Sequence, residues 1–296
     1  MTLDQAYAAC EGLARTHYEN FPVASRLLPA RMRPHVAAIY AFARIADDLA
    51  DEGDAPAALR EARLEEWLRW LHDSNEDAAT TTAGSVLTPD VRAIAPQVFL
   101  ALHHSIRTME LPIGLFEDLV SAFRQDVSVT RYASWPALLD YCRRSANPVG
   151  RLVLRVGGCR DAGLDAASDA VCTALQLTNF WQDLAVDWRR GRLYVPEDVH
   201  RAAAADLGAL DRGEWTAAWR SALAVCAERT RELFERGRPV CDGVTGRLRY
   251  ELRATWLGGM RVLDRLDAAG FDVFRARPSL GAGDVPAIAW RTLWWS

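Results

Sequence analysis

The sequence of 296 residues contains no lysine, so all 35 basic side chains are arginines. Without a lysine amine, Schiff-base and pyridoxal phosphate enzymes are excluded. The P-loop is excluded too, because its lysine contacts the nucleotide phosphates. An anionic substrate must therefore be bound by arginine, backbone N–H groups, hydroxyls, amides or a metal ion.

Signals for secretion, membrane insertion and nucleic-acid binding are missing as well. The start, Met1 to Asp4, lacks the basic segment and apolar run of a signal peptide. No uncharged apolar run reaches the roughly 18 residues of a membrane span. The six cysteines form no C-x-x-C pair, which favours buried reduced thiols, and a net charge of −4 gives no electrostatic reason for binding nucleic acid. These features predict a cytoplasmic globular protein. No linker divides it, so we predict one domain over 1–296.

Apolar residues recur at spacings of three and four almost throughout, and alanine is abundant. Strict alternation of apolar and polar residues does not persist, so helices are favoured over strands. The pattern predicts an all-α fold with helices near 2–17, 34–51, 57–74, 89–108, 112–126, 134–156, 165–188, 213–237 and 243–269. The stretches 73–88 and 196–212 are predicted to be looser.

A stripe of polar side chains marks the second predicted helix. Residues three and four apart share a helix face, so Tyr40, Arg44, Asp47, Asp48 and Asp51 form one line, here called the first acidic stripe. Alanine, isoleucine and leucine cover much of the remaining surface, so this helix is expected to lie deep in the fold. Burying three carboxylates beside one arginine is unfavourable unless cations compensate them.

A second acidic stripe, formed by Gln176, Asn179, Asp183 and Asp187, lies on a later helix. Aspartates at i and i+4 are separated by about 6 Å along the axis and about 40° around it, so both can reach one cation cluster. Oxygen ligands without histidine or cysteine select hard cations, and magnesium suits carboxylates that leave room for phosphate and water. One such pair is usually a solvated face, but two among apolar residues favour a functional role.

A di-iron carboxylate bundle is the alternative for such helices, but it needs a Glu-x-x-His motif on each of two helices. The chain has no such pair of motifs. Magnesium at two acidic stripes instead suggests a bound diphosphate, ionisation of the carbon that it leaves, and an apolar cavity that excludes water. Aromatic candidates for this cavity, for each of which core packing is the more common role, are Phe21, Tyr40, Phe42, Phe123, Tyr141, Phe180 and Trp181.

At these motifs the chain resembles the squalene and phytoene synthase family of head-to-head prenyl synthases, from about His17 to Phe274. Its Asp-x-x-x-Asp motifs stand at 47/51 and 183/187. Further matches are His17 with Asn20 and Phe21, Tyr40 with Arg44, the residues around Tyr141, and Arg192 to Pro196. The resemblance implies a single-domain isoprenoid-synthase helical fold with a central active-site cavity.

The resemblance also implies roles for individual residues. Magnesium would be bound by Asp47, Asp48 and Asp51 on one wall and by Asn179, Asp183 and Asp187 on the other. Arg44 would hold the diphosphate, and Tyr141 would act near the reacting centre. Substrate-binding residues would be His17, Asn20, Phe21, Tyr40, Arg44, Gln176 and Tyr194.

Three departures from the family pattern stand out. Gln182 replaces the usual arginine before the second motif, Ser145 to Pro148 replace Val-Ala-Gly, and Gly259 aligns with a tyrosine of relatives. With these departures the chain resembles the hopanoid-pathway branch of the family. Enzymes of this branch convert presqualene diphosphate and water to hydroxysqualene and diphosphate. We hypothesise that the polar side chain of Asn147 or Gln182 acts in catalysis by positioning that water.

Two alternatives stay open. One is a sister enzyme that condenses two prenyl diphosphates to presqualene diphosphate, phytoene or dehydrosqualene. The other is a non-catalytic assembly factor or lipid-binding scaffold, which the presence of all four motif aspartates disfavours. The branch implies cooperation with a presqualene diphosphate synthase and a flavin-dependent hydroxysqualene reductase. The end of the chain, Trp290 to Trp295, is expected to pack on the domain, with contact to the inner face of the membrane as the alternative.

Overall fold

A computed structural model describes residues 1–16, 27–51, 53–73 and 84–295. Within these ranges most of the backbone is helical, and no strand forms. An isolated parallel bridge pairs Arg131 with Leu193. The prediction of an all-α fold is confirmed.

Helices follow one another with short connections in the described ranges. They are α1 (Leu3–Thr16), α2 (Arg33–Asp51), α3 (Ala57–His72), α4 (Pro89–Met109), α5 (Ile113–Asp126), α6 (Trp135–Ser145), α7 (Asn147–Val156), α8 (Ala162–Arg189), α9 (Glu197–Ala202), α10 (Leu207–Asp211), α11 (Ala217–Gly237), α12 (Val240–Gly243), α13 (Gly246–Ala268) and α14 (Val285–Leu293). A short 3-10 helix, Ala30–Met32, precedes α2.

The helix predicted over 134–156 is two helices, α6 and α7. Pro148 has no amide hydrogen and its ring clashes with the preceding turn, so it disfavours a continuous helix across this position. It lies instead in the first turn of α7, where a missing N–H costs nothing. The stretch 196–212, predicted to be looser, contains α9 and α10, and α14 was not predicted.

The chain divides into two compact units. One comprises Met1–Ser128 with Pro148–Arg160, and the other comprises Val129–Asn147 with Asp161–Ser296. A single domain over 1–296 stays a prediction.

In the first unit, α2 packs against α1, α3, α4 and α5. The ring of Phe42 on α2 contacts Trp67, Phe99 and Phe116, with centroid separations of 5.9, 6.0 and 5.4 Å. The indole N–H of Trp67 donates to the carbonyl oxygen of Phe42 at 3.2 Å. Phe42 is therefore a core residue of this unit, and the deep position expected for α2 is confirmed.

In the second unit, α8 packs against α6, α11 and α13. Its first turn is capped by Asp161, whose carboxylate accepts from the N–H of Leu164 at 2.8 Å. Trp181 is completely buried, and its indole N–H donates to the hydroxyl of Thr230 at 2.9 Å. Trp181 is therefore a core residue as well.

The six cysteines carry free thiols, and all except Cys159 are buried, as predicted. The end of the chain packs on the domain in part, as α14 lies against α13. Trp290, Leu293 and Trp294 are each 60% exposed, whereas Trp295 packs against Trp256. Among the described helices, none has the length and apolar character needed to cross a bilayer.

Candidate active site

The first acidic stripe is the partly exposed face of α2. Tyr40, Arg44, Asp47 and Asp48 are half-buried and Asp51 is exposed, while the rest of the helix is almost entirely buried. The helix thus places the five predicted side chains along one line, as the spacing of three and four requires.

Arg44 and Asp48 form a two-point ion pair within this stripe. Arg44 Nη2 lies 2.7 Å from Asp48 Oδ1, and Arg44 Nε donates to Asp48 Oδ2 at 3.2 Å. A planar guanidinium held at two points is fixed in orientation. The stripe thus places one guanidinium beside three carboxylates, whose oxygen atoms are ligands that hard cations prefer.

The second acidic stripe is the half-buried face of α8. Gln176, Asn179, Asp183 and Asp187 are partly exposed, and the residues between them are mostly buried. The side-chain amide of Asn179 donates to Asp183 Oδ2 at 2.7 Å. This contact orients the carboxylate of Asp183 on the helix surface.

Arg277 also contacts Asp183, and no sequence pattern predicts this contact. Its Nε donates to Asp183 Oδ1, and its Nη2 donates to Asp183 Oδ2 at 3.1 Å. The two residues are 94 positions apart, and Arg277 belongs to an irregular segment after α13. No helical spacing links them, so no sequence pattern could have paired them.

An aromatic cluster brings together three of the predicted residues. Phe180 on α8 stacks on Tyr194 with ring centroids 3.6 Å apart, and the ring of Tyr141 lies 6.2 Å from Phe180. All three side chains are buried, as is Tyr132, whose ring lies 5.5 Å from Tyr141. Phe180 follows Asn179 directly, so the second stripe and the aromatic cluster share α8.

Backbone hydrogen bonds hold this cluster in place. The N–H of Leu193 donates to the carbonyl oxygen of Thr130, and the N–H of Glu197 donates to that of Tyr132, both at 2.9 Å. The loop that carries Tyr194 is therefore fixed against the segment before α6. Such fixed placement is what a group that acts on a reacting centre needs.

Asn147 and Gln182, the residues predicted to position water, are both buried and both hydrogen-bonded. Asn147 Oδ1 accepts from the hydroxyl of Thr173 at 2.8 Å. Gln182 Nε2 donates to the carbonyl oxygen of Pro278 at 2.6 Å. The second contact gives the Gln182 amide a structural partner that its sequence position did not indicate.

The predicted residues His17, Asn20 and Phe21 lie outside the described residues. Of the aromatic candidates, Phe42 and Trp181 belong to the cores of their units, and Phe123 is half-buried on α5.

The oxygen donors of both stripes fit a hard cation such as magnesium. In the part of the chain that the structure describes, no three His, Cys, Asp or Glu side chains form a group that could hold a metal ion alone. Magnesium is commonly held by one or two carboxylates together with phosphate oxygens and water, so a cage of protein ligands is not required. The carboxylate of Asp183 already pairs with one cationic group, the guanidinium of Arg277.

Comparisons with known proteins bear on these sites. The sequence profile of the squalene/phytoene synthase family matches residues 14–284. A hydroxysqualene synthase of Zymomonas mobilis is 41% identical over 221 residues, covering 74% of this chain and 68% of that protein. One from Rhodopseudomonas palustris is 35% identical over 232 residues, covering 76% and 72%. The crystal structure of squalene synthase HpnC from Alicyclobacillus acidocaldarius superposes with a TM-score of 0.79 at 36% identity, covering 91% of this chain and 95% of that one.

Proposed function

Since the chain belongs to the squalene/phytoene synthase family, we propose that it converts presqualene diphosphate and water to hydroxysqualene and diphosphate. The observation that carries this proposal is the similarity to hydroxysqualene synthases over about three quarters of the chain. Membership in this family supports an enzyme that acts on prenyl diphosphates.

The reaction needs no oxidant or reductant. The bond between carbon and the diphosphate oxygen breaks, and its electron pair leaves with the diphosphate. The rearranged carbocation then gains a bond to the oxygen of water, which releases one proton. Magnesium, when bound, stabilises the negative charge of the departing diphosphate.

Each acidic stripe supplies proposed magnesium ligands. On α2 these are Asp47, Asp48 and Asp51, and on α8 they are Asn179, Asp183 and Asp187. Each set supplies only oxygen donors, and none of these side chains is fully buried. Partial exposure leaves room for water and for the phosphate oxygens that complete a magnesium shell.

Arg44 is proposed to contact the diphosphate. Its two-point pair with Asp48 fixes the guanidinium at the stripe, so little side-chain entropy is lost when the anion binds. Tyr40 lies one turn earlier on α2, and Gln176 lies one turn before Asn179 on α8. We assign these two side chains, with His17, Asn20, Phe21 and Tyr194, to substrate binding.

The aromatic cluster suits the chemistry of a carbocation. Ring faces attract positive charge, and buried aromatic side chains exclude water until capture. Tyr141 is the proposed catalytic member, since it contacts Phe180 and Tyr194 and is held by the fixed loop. Its replacement by phenylalanine is expected to keep the fold and lower turnover, because the ring remains and the hydroxyl is lost.

Asn147 is the proposed residue for orienting the captured water. Its Oδ1 is held by Thr173, which fixes the direction of the amide. Asn147→Ala is expected to raise elimination products relative to the alcohol, and Thr173→Val to do so more weakly. Unchanged product ratios in both Asn147→Ala and Gln182→Ala would remove the hypothesis of a water-positioning amide.

We also propose that the exposed end of α14 contacts the inner face of an anionic membrane. Trp290 and Trp294 stack at 3.9 Å and, with Leu293, project a broad apolar surface beside Arg291. Tryptophan suits the membrane interface, and arginine suits anionic headgroups. Vesicles rich in phosphatidylglycerol should bind the protein, and Trp290→Ala with Trp294→Ala should weaken binding, unlike Val225→Ala at an exposed site on α11.

Contact with the membrane would place the enzyme beside its lipid-like substrate and product. We expect it in the cytoplasm, supplied by a presqualene diphosphate synthase and followed by a flavin-dependent hydroxysqualene reductase.

A product assay tests the proposed reaction. The protein is given magnesium and no nicotinamide, with presqualene diphosphate and farnesyl diphosphate offered separately. Hydroxysqualene from the first substrate and no product from the second is the expected result. Formation of presqualene diphosphate from farnesyl diphosphate would assign the protein to the sister branch.

A further inference from the structure

The segment from Arg277 to Asp284, here called the strap, is anchored to two helices near its start. Gln182 Nε2 on α8 donates to the carbonyl oxygen of Pro278 at 2.6 Å. A guanidinium N–H of Arg265 on α13 donates to the carbonyl oxygen of Ser279. The backbone on the C-terminal side of Arg277 is thereby fixed.

The far end of the strap is anchored by Asp284. This buried carboxylate pairs with Arg261 Nε at 3.0 Å and with Arg265 Nη2 at 2.7 Å. The backbone N–H of Gly281 donates to it at 2.8 Å, and this bond, followed by that from Arg261, lowers the pKa of Asp284. Asp284 is therefore ionised at neutral pH, and the strap stays fixed on α13.

The strap directs Arg277 onto Asp183 of the second acidic stripe. Two N–H groups of Arg277 and one of Asn179 donate to this carboxylate. A carboxylate has about four lone-pair sites, so three of them are taken by nitrogen donors. A divalent cation that binds Asp183 would in addition be repelled by the positive charge of the nearby guanidinium.

From this geometry we propose that Arg277 competes with the metal ion for Asp183, and that Gln182 is a positioning residue that holds Arg277 there. In the metal-free protein the guanidinium compensates the charge of Asp183. Metal binding requires the guanidinium of Arg277 to leave at least one carboxylate oxygen of Asp183. The pair thus sets how much metal the protein needs. The inference rests on one part of the proposed function, namely that Asp183 is a metal ligand.

Gln182 acts through the strap because its amide contacts Pro278, the residue next to Arg277. Gln182 is 8% exposed, whereas the side chain of Arg277 is 43% exposed. An exposed arginine otherwise samples many rotamers, and fixing the adjacent peptide limits how far its guanidinium can move from Asp183. Loss of the Gln182 amide should therefore weaken the competition of Arg277 with the metal ion without removing it.

The test measures metal binding directly. Manganese, whose free ion gives an electron paramagnetic resonance signal, is titrated into the full-length protein in the presence of inorganic diphosphate. The variants are Arg277→Gln, Gln182→Leu and the double variant, and Arg275→Gln is the control for losing a nearby exposed arginine. Asp183→Asn identifies the binding that depends on the second stripe. The magnesium concentration for half-maximal turnover is measured in parallel.

Arg277→Gln is expected to tighten Asp183-dependent manganese binding by about fivefold or more and to lower the magnesium requirement. Gln182→Leu should tighten it less, and should add nothing in the Arg277→Gln background. Arg275→Gln should change neither quantity. Unchanged or weaker manganese binding in Arg277→Gln would overturn the inference, even if hydroxysqualene is formed. Manganese binding that is equal in wild type and Asp183→Asn would instead contradict the metal role of Asp183 in the proposed function.

Discussion

Two adjacent glycines of α13 are expected to respond in opposite directions when replaced by alanine. A Cβ added at Gly259 would lie 2.4 and 2.8 Å from atoms of the Phe234 ring and 2.9 Å from Leu175 Cδ2. A Cβ added at Gly258 would meet only Leu280 Cδ1, at 3.3 Å. Favourable carbon contacts lie at about 3.5 to 4.0 Å, so the first position is overpacked, whereas the second needs only a small shift of the Leu280 side chain.

The expected magnitudes follow from these distances. Alanine gains about 1 kcal/mol over glycine inside a helix. At position 259 the completely buried Phe234 ring must move, and overpacking at the upper end of its usual range costs roughly 3 kcal/mol. Gly259→Ala should therefore lose about 2 kcal/mol of unfolding free energy. Gly258→Ala should gain up to about 1 kcal/mol, because exposed Leu280 can move aside.

Urea unfolding followed by circular dichroism measures this difference. The two substitutions have the same chemistry, lie next to each other in one helix, and are thus matched controls. Equal effects, or a stabilised Gly259→Ala, would refute the close packing of α13 against Phe234. The same contact gives a physical reason why position 259 holds no tyrosine, since even a Cβ does not fit there.

Three further outcomes are expected. Trp181→Phe removes the indole hydrogen bond to Thr230 and should cost about 1 to 2 kcal/mol of unfolding free energy, measured by urea unfolding. A loss below about 0.3 kcal/mol would contradict this. Burial lowers the pKa of His35, His103 and His200, so the unfolded chain binds protons that the folded protein does not. Stability should be fully present above about pH 6.5 and decrease as the pH falls below it, and higher stability at pH 5.5 than at pH 7.5 would refute this reasoning. Asp183→Asn should abolish turnover with an unchanged circular dichroism spectrum, whereas Asp264→Asn, at an exposed carboxylate on α13, should retain it.

The helical spacing of the sequence predicted both acidic stripes, because side chains three and four apart must share a face once the helix forms. Arg44 and Asp48, one turn apart, pair as that geometry allows. The position of α2 deep in the first unit also followed, from the apolar residues around the stripe.

Contacts made by irregular segments could not be predicted in this way. Arg277 meets Asp183 across 94 residues, and Gln182 meets a backbone carbonyl rather than a side chain. Neither partner is marked by periodicity or by residue type. The exposure of Trp290 and Trp294 was missed for a related reason, since an apolar composition indicates burial and does not identify what covers the surface.

The origin of the product's oxygen distinguishes capture of a carbocation by water from hydrolysis of the phosphate ester. Presqualene diphosphate is converted in water enriched in oxygen-18, and the products are analysed by mass spectrometry. We predict hydroxysqualene that carries one labelled oxygen, together with unlabelled diphosphate. An unlabelled alcohol with labelled phosphate, or a hydrocarbon without oxygen, would contradict ionisation at carbon followed by capture of water.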